Sequence, residues 1–105
     1  MTYRVVTTPE AQEGLRDIYC FIQRDSLVAA RRWATGVRRA IRGLSRLPTR
    51  CLVAPEGFEF DRPIRELLYG SGNRGTYRIL FTIIDKTVFV LHVRHGSMQP
   101  LLTED

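Results

Sequence analysis

The sequence predicts a small α+β domain in which a pair of helices covers one face of a mostly antiparallel sheet. Two runs rich in β-branched and aromatic residues, 76–84 and 87–95, are separated only by Asp85 and Lys86, which is the pattern of a β-hairpin. Two segments with helical spacing of apolar residues precede them. The predicted order is β-α-α-β-β-β.

Length and composition limit the protein classes that need to be considered. The 105 residues fit one domain, 1–105, with a single hydrophobic core. The formal net charge is +5, and lysine contributes only Lys86, so an arginine-binding acidic partner is expected. Two cysteines make no disulfide framework, and no apolar run is long enough to span a membrane. We expect a cytoplasmic protein with reduced thiols and without a metal or cofactor.

The chain starts with a predicted strand and helix. Tyr3–Thr7 is short, β-branched and roughly alternating, so it predicts a strand. A helix start follows, capped either by Thr7 together with Glu10 or by Thr8 before Pro9. The apolar spacing of this first helix continues to Asp25.

A second helix is predicted for Leu27–Leu47, because Ser26 can cap its start and Pro48 cannot continue it. Gly36 and Gly43 would let the first helix approach closely. The apolar residues fall on one arc: Ala30, Trp33, Ala34, Val37, Ala40, Ile41, Leu44 and Leu47. Nearly opposite lies a row of arginines, either a solvated face or a surface for nucleic acid or an acidic protein: Arg31, Arg32, Arg38, Arg39, Arg42 and Arg46.

Three further segments lack a clear period. Residues 49–63 predict a connecting loop in which Cys51, Leu52 and Val53 pack against the core. Residues 70–75 match the dinucleotide pattern G-x-G-x-x-G, but a strand follows where that motif needs a helix, so we interpret them as a hairpin loop. The tail 96–105 is expected to be irregular.

Alternation along the two final strands assigns their faces. The face predicted to meet the helices carries Tyr77, Ile79, Phe81 and Ile83 from one strand and Phe89, Leu91 and Val93 from the other. The predicted core is Trp33, Val37, Ile41, Leu44, Ile79, Phe81, Phe89 and Leu91. The opposite face would then carry Arg78, His92 and Arg94 together, and any chemistry is expected there.

Two uses of this polar face are physically sensible. It could cleave RNA through the 2′-hydroxyl of the RNA, because a histidine can move the proton while arginines hold the phosphate. It could also bind an acidic segment or a phosphate without chemistry. Two structural alternatives stay open, with His92 as a hydrogen-bonded sheet residue and Arg78 as a partner of Glu66 on the neighbouring strand.

Several segments resemble the RelE/ParE superfamily of toxins. The closing half is similar in Arg65-Glu-Leu-Leu-Tyr-Gly70, in Gly75-Thr-Tyr-Arg-Ile-Leu-Phe-Thr-Ile83 and in Val90-Leu-His-Val-Arg-His-Gly96. Cys51-Leu-Val-Ala-Pro-Glu56 and the helical pair resemble the plasmid-stabilisation branch. The resemblance implies a type II toxin, encoded beside an antitoxin whose acidic amphipathic segment neutralises it. Members of the RelE kind cut mRNA on the ribosome, whereas the ParE kind act on DNA gyrase without being nucleases.

The resemblance also implies site residues. Arg78 matches the strand arginine that contacts phosphate in the RelE kind, and a RelE-like catalytic set would be Arg78, His92, Arg94 and His95. The later arginine and the C-terminal tyrosine of that kind have no counterpart, since no tyrosine follows Tyr77. The resemblance therefore favours a ParE-like toxin and leaves its target open, with DNA gyrase as one candidate; the alternative is a RelE-like mRNA endonuclease. The arginines expected to bind RNA or the antitoxin are Arg62, Arg65, Arg74, Arg78 and Arg94.

Overall fold

A computed structural model describes residues 2–59, 61–70 and 75–96, with only the backbone of residue 59. Its helices are α1 (Pro9–Asp25) and α2 (Leu27–Arg42). Its strands are β1 (Arg4–Thr7), β2 (Leu52–Glu59), β3 (Arg62–Tyr69), β4 (Tyr77–Ile84) and β5 (Thr87–His95). They form one sheet in the order β1-β5-β4-β3-β2, with β1 parallel to β5 and the other pairs antiparallel. The predicted α+β class, with a helical pair on one sheet face, is confirmed.

The helical pair is held at its ends by side-chain caps. Thr8 is the residue that caps α1, since its Oγ1 accepts a hydrogen bond from the Ala11 amide at 3.3 Å, and Pro9 occupies the first turn. The same hydroxyl donates to the Val90 carbonyl at 2.7 Å, which ties the helix start to β5. Ser26 ends α1 and caps α2, accepting from the Ala29 amide at 3.1 Å. One residue therefore serves both helices, as predicted.

The second helix is shorter than predicted. It ends at Arg42, and a 3-10 turn follows over Gly43–Ser45. The Ser45 carbonyl accepts a hydrogen bond from the Tyr3 amide at 2.8 Å, so the chain beyond Gly43 pairs with the N-terminal segment instead of continuing the helix. Leu47 has a positive φ of 46° and is 70% exposed, so its predicted place on the apolar arc of the second helix is wrong.

Two helical glycines lie at close contacts, but not where the sequence suggested. A Cβ on Gly14 would lie 2.9 Å from the Val93 carbonyl oxygen, so this glycine lets α1 approach β5. A Cβ on Gly36 would lie 1.7 Å from the Tyr69 hydroxyl, so Gly36 admits a β3 side chain and not α1. Gly43 has open space around it.

The predicted loop 49–63 is wrong over most of its length, because it contains β2 and the start of β3. The pairing of β2 with β3 is irregular between Val53 and Phe58, and Gly57 between them has a φ of 87°. A bulge of this kind removes the period-two pattern that identifies a strand. Cys51 is buried as expected, whereas Leu52 and Val53 are 79% and 50% exposed.

The pairing of β4 with β5 also contains a bulge. Leu80 faces His92 while the next residue, Phe81, faces Val90, so Leu91 is the extra residue and the alternation changes phase there.

This change of phase corrects the predicted faces. Val88, Val90 and Val93 all pack in the main core with the helices, whereas Phe89 and Leu91 do not, so their predicted place in that core is wrong. The main core is formed by Ala11, Ile22, Ala30, Trp33, Val37, Ile41, Leu44, Cys51, Tyr77, Ile79, Phe81, Val88, Val90 and Val93. A second, smaller cluster on the opposite face joins Ala54, Ile64 and Leu80 with the half-buried Leu91.

The remaining predictions concern loops. Gly70 and Gly75, with φ of 91° and 77°, lie between the antiparallel strands β3 and β4, so the interpretation as a hairpin loop is confirmed. Residues 71–74 and the tail from 97 onward lie outside the described residues. Neither α1 nor α2, the α-helices within the described ranges, is long and apolar enough to cross a membrane.

The bulge can be tested by comparing two phenylalanines. Phe81→Ala removes a fully buried ring from the main core and is expected to lower the free energy of unfolding by about 3–5 kcal/mol. Phe89→Ala should cost less than half as much, because Phe89 is half-buried and pairs with Thr82 on the other face. Urea unfolding followed by circular dichroism measures both, and equal losses would contradict the bulged register.

Candidate functional site

The sheet face turned away from the helices carries three of the predicted site residues. Arg78 on β4 pairs directly with Arg94 on β5, and Leu80 pairs with His92, so Arg78, His92 and Arg94 share that face. Because Leu91 is an extra residue, Val90 and Val93 both face the main core while His92 and Arg94 face the other way.

His95 lies on the other face of the sheet. It pairs with Tyr77, and the two rings make an edge contact with centroids 5.1 Å apart. Tyr77 in turn makes an edge contact with Trp33 of α2 at 5.3 Å. His95 is therefore part of an aromatic group beneath the helices, and the structure does not bring it together with His92.

The most strongly bound side chain on the open face is Arg78. Its Nη1 and Nη2 donate to the two carboxylate oxygens of Glu56 at 2.9 and 2.7 Å, and its Nε donates to Glu66 at 2.5 Å. The Arg78 and Glu56 side chains are only 9% and 3% exposed, while that of Glu66 is 22% exposed. Three strands, β2, β3 and β4, thus meet at one guanidinium.

This ion cluster fixes the charge state of Arg78. The hydrogen bonding of the guanidinium to Glu56 raises its pKa above the ordinary value, burial acts in the opposite direction, and the hydrogen bond to Glu66 raises the pKa further. Arg78 is therefore a permanent cation with two carboxylates beside it. Three of its five N–H donors are used in this way, and a phosphate that approached the other two would meet the negative charge of both carboxylates.

The sequence identified one of these partners and missed the other. The open alternative that paired Arg78 with Glu66 matches the structure. Glu56 was missed because it lies in the segment predicted as a loop, where no alternation of apolar and polar residues indicates which sheet face a side chain occupies. A signal was present, since Glu56 is the first acidic residue after Asp25 and follows a stretch that contains many arginines.

The other predicted binding arginines are dispersed. Arg62 is exposed at the start of β3. Arg65 donates to the main-chain carbonyls of Cys51 at 2.7 Å and Thr49 at 3.4 Å, which holds the segment before β2. Arg74 lies outside the described residues. Only Arg78 and Arg94 of this set therefore lie directly opposite each other.

A groove between the two helices was not identified from the sequence. It has a volume of about 460 Å³, with an apolar floor that includes Leu15, Tyr19 and Val37. Its cationic lining comes from Arg16, Arg38 and Arg42.

A neighbouring hollow extends this groove along α2. The hollow has a volume of about 420 Å³, shares Tyr19 and Arg38 with the groove, and adds Arg31. Among the residues that the structure describes, no acidic one lines either space. These lining arginines make no ion pair with any residue in the described part of the chain. The Nε1 of Trp33, which also lines the groove, is buried without a hydrogen-bond partner among the described residues.

The arrangement suits binding better than metal chemistry. Within the described ranges, no three His, Cys, Asp or Glu side chains come together as a possible metal site. Both cysteines are free thiols, and burial raises the pKa of the Cys51 thiol, with Arg50 and Arg65 acting in the opposite direction. The groove offers apolar contact beside unpaired cations, which is the surface that an acidic amphipathic segment requires.

Comparisons with known proteins agree on one type of protein. The family model described as the ParE toxin of type II toxin-antitoxin system, parDE, matches residues 5–100. A chain from the chromosomal ParDE TA system from P. aeruginosa has a similar fold, with a TM-score of 0.68 at 15% identity over 90% of this chain and 96% of that chain. A chain of the toxin-antitoxin complex RelBE2 from Mycobacterium tuberculosis gives a TM-score of 0.51 at 28% identity over 90% and 99% of the two chains. Curated protein sequences give no match.

The ion cluster yields a prediction about stability. Arg78→Ala leaves the buried Glu56 carboxylate without its cation and is expected to cost about 3–5 kcal/mol of unfolding free energy. Glu66→Ala should cost less, because Glu66 is more exposed and Arg78 keeps its two bonds to Glu56.

A double-mutant cycle supplies the control. Arg78→Ala combined with Glu56→Ala removes both charges, so its cost should fall below the sum of the single losses by about 0.5–3 kcal/mol. Urea unfolding of the four proteins gives this coupling. Strict additivity would contradict the bidentate pair.

Proposed function

The chain belongs to the ParE toxin family of type II toxin–antitoxin systems, and from this membership we propose that it inhibits growth until a cognate antitoxin binds it. We propose further that it acts in the cytoplasm by binding DNA gyrase and that it is not a nuclease. We prefer a binding protein to a nuclease because Arg78 is already hydrogen-bonded to Glu56 and Glu66. The resemblance to the RelE kind assigns phosphate binding to this arginine, and here three of its donors are already used.

The position of the histidines also favours a binding protein. Proton transfer in RNA cleavage needs an acid and a base around one phosphate. His92 and His95 lie on opposite faces of the sheet, so they cannot serve one phosphate together. Residues 78–105 contain no tyrosine that could replace one of them.

The antitoxin is proposed to bind in the groove between α1 and α2. An acidic amphipathic segment could place apolar side chains against Leu15 and Val37 while its carboxylates meet Arg38 and Arg42. The sequence suggested the open sheet face instead, but Arg78 there already has its counter-charges. The exposed arginines at the groove have no ion pair among the described residues, so their charge is available to a partner.

A RelE-like mRNA endonuclease is the second candidate. His92 and Arg94 share a sheet face with Arg78, which is the juxtaposition that this chemistry would use. The 28% identity to a chain of the RelBE2 complex is compatible with it. Catalysis would then depend on His92 and Arg94, with Arg78 in a supporting position.

One experiment tests the antitoxin surface. The product of the adjacent gene is titrated into the purified chain by calorimetry, and Arg38→Ala with Arg42→Ala is expected to weaken binding on the order of a hundredfold. The matched control, Arg4→Ala with Arg24→Ala, removes the same charge from exposed residues outside the groove and should bind like the parent. Equal weakening in both variants would point to net charge and not to the groove.

A second experiment separates the two targets. Supercoiling by gyrase is assayed with the purified chain, and mRNA ends are mapped in cells after brief expression. We expect gyrase inhibition with intact mRNA, unchanged in His92→Ala. A nuclease would instead cut mRNA in phase with codons and lose about 10²–10⁴ in rate in His92→Ala. Codon-phased cutting that is lost in His92→Ala would contradict gyrase binding as the mechanism. His95→Ala is the control, because His95 lies on the other face of the sheet and its loss should leave such cutting in place.

A further inference from the structure

Charge is strongly segregated along this chain. The segment 26–55 contains seven arginines and no lysine, aspartate or glutamate, so it carries +7 while the rest of the chain sums to −2 against a total of +5. All of α2 lies in this segment. Charge asymmetry of this degree is typical of chains that bind a polyanion.

The arginines of α2 form two rows. Arg31, Arg38 and Arg42 line the groove and the neighbouring hollow. Arg32 and Arg39 are placed about 100° further around the helix axis and line neither space. Both are exposed, and neither has an ion pair or side-chain hydrogen bond to any part of the chain that the structure describes. The antitoxin groove therefore leaves this second row unused.

Helix α2 offers no exposed aromatic side chain beside Arg32 and Arg39. The exposed residues between them are Thr35 and Arg38, Gly43 beyond Arg39 has open space around it, and one exposed apolar side chain, Val28, lies a helical turn before Arg32. A protein interface is centred on apolar or aromatic anchors, whereas an interface with nucleic acid is polar and positively charged.

The absence of an aromatic anchor also selects the form of nucleic acid. Proteins that bind single strands stack bases on exposed aromatic rings. The only aromatic residue of α2 is Trp33, and it is buried in the core. An α-helix fits the wide major groove of B-DNA but not the deep, narrow one of duplex RNA.

We propose that Arg32 and Arg39 form a surface that binds the phosphates of duplex DNA without reading its sequence. Seven residues of helix separate Arg32 from Arg39 by about 10 Å, which spans roughly three phosphate steps of one DNA strand. Arginine forks bind phosphate oxygens in pairs and supply no base readout here. This binding goes beyond the proposed growth inhibition and does not require the antitoxin groove.

The test measures binding of the purified full chain to a short fluorescein-labelled duplex DNA by anisotropy, between about 50 and 200 mM KCl. The parent is expected to bind two unrelated sequences equally. Arg32→Ala with Arg39→Ala should reduce the slope of log K against log[KCl] by about 2 and weaken binding on the order of tenfold at the lowest salt. Arg4→Ala with Arg24→Ala removes the same charge elsewhere and should keep the parental slope.

Several results would overturn the proposal. These are no binding by the parent, equal losses in the two double variants, tighter binding to a single-stranded RNA of equal charge, or displacement of the duplex by polyglutamate at equal charge concentration. The last result would assign the row to an acidic protein instead. Matching melting temperatures of the two variants and the parent ensure that any loss reflects the removed side chains.

Discussion

The buried contact of Arg78 with Glu56 and Glu66 holds the outer half of the sheet in place. Strand β2 is an edge strand with an irregular register, and most of its apolar side chains face solvent, so hydrophobic burial does little to position it. A displacement of β2 would leave a buried guanidinium and a buried carboxylate unmatched, which is among the most costly defects in a protein interior. The same contact uses three N–H donors of Arg78 on the open sheet face, so the position of β2 and the charge of that face both depend on it.

Arginine has three distinct uses in this chain. Arg78 is bound in an internal ion cluster, and Arg65 donates hydrogen bonds to main-chain carbonyls before β2. The arginines of α2 remain exposed, in the stretch of sequence from which acidic residues are missing. An arginine near acidic residues in the folded chain is thus structural, and an arginine far from them is available to partners.

The sequence was sufficient for the architecture where a regular period persists. The apolar spacing of α1, the shared cap at Ser26 and the hairpin at Asp85 all follow from local patterns, and they place Arg78 correctly on the open face. Two bulges could not be read in this way, because one extra residue reverses the alternation without any change in composition. Because of the first bulge, β2 and its residue Glu56 were predicted as a loop. Because of the second, Phe89 was predicted in the core, where the structure has Val90. The groove depends on the packing of two helices, which no single segment encodes.

The pairing of β1 with β5 has a consequence for how the protein is made. Thr8, between β1 and α1, donates a hydrogen bond to Val90, a residue 82 positions later, and Gly14 of α1 lies against Val93. The first strand and the first helix can make these contacts with β5 only after about 80 further residues have been synthesised, which takes roughly 4 to 16 s at ribosomal speed. Such distant contacts also close slowly. The sheet of this toxin is thus incomplete until β5, its fifth strand along the chain, has been synthesised.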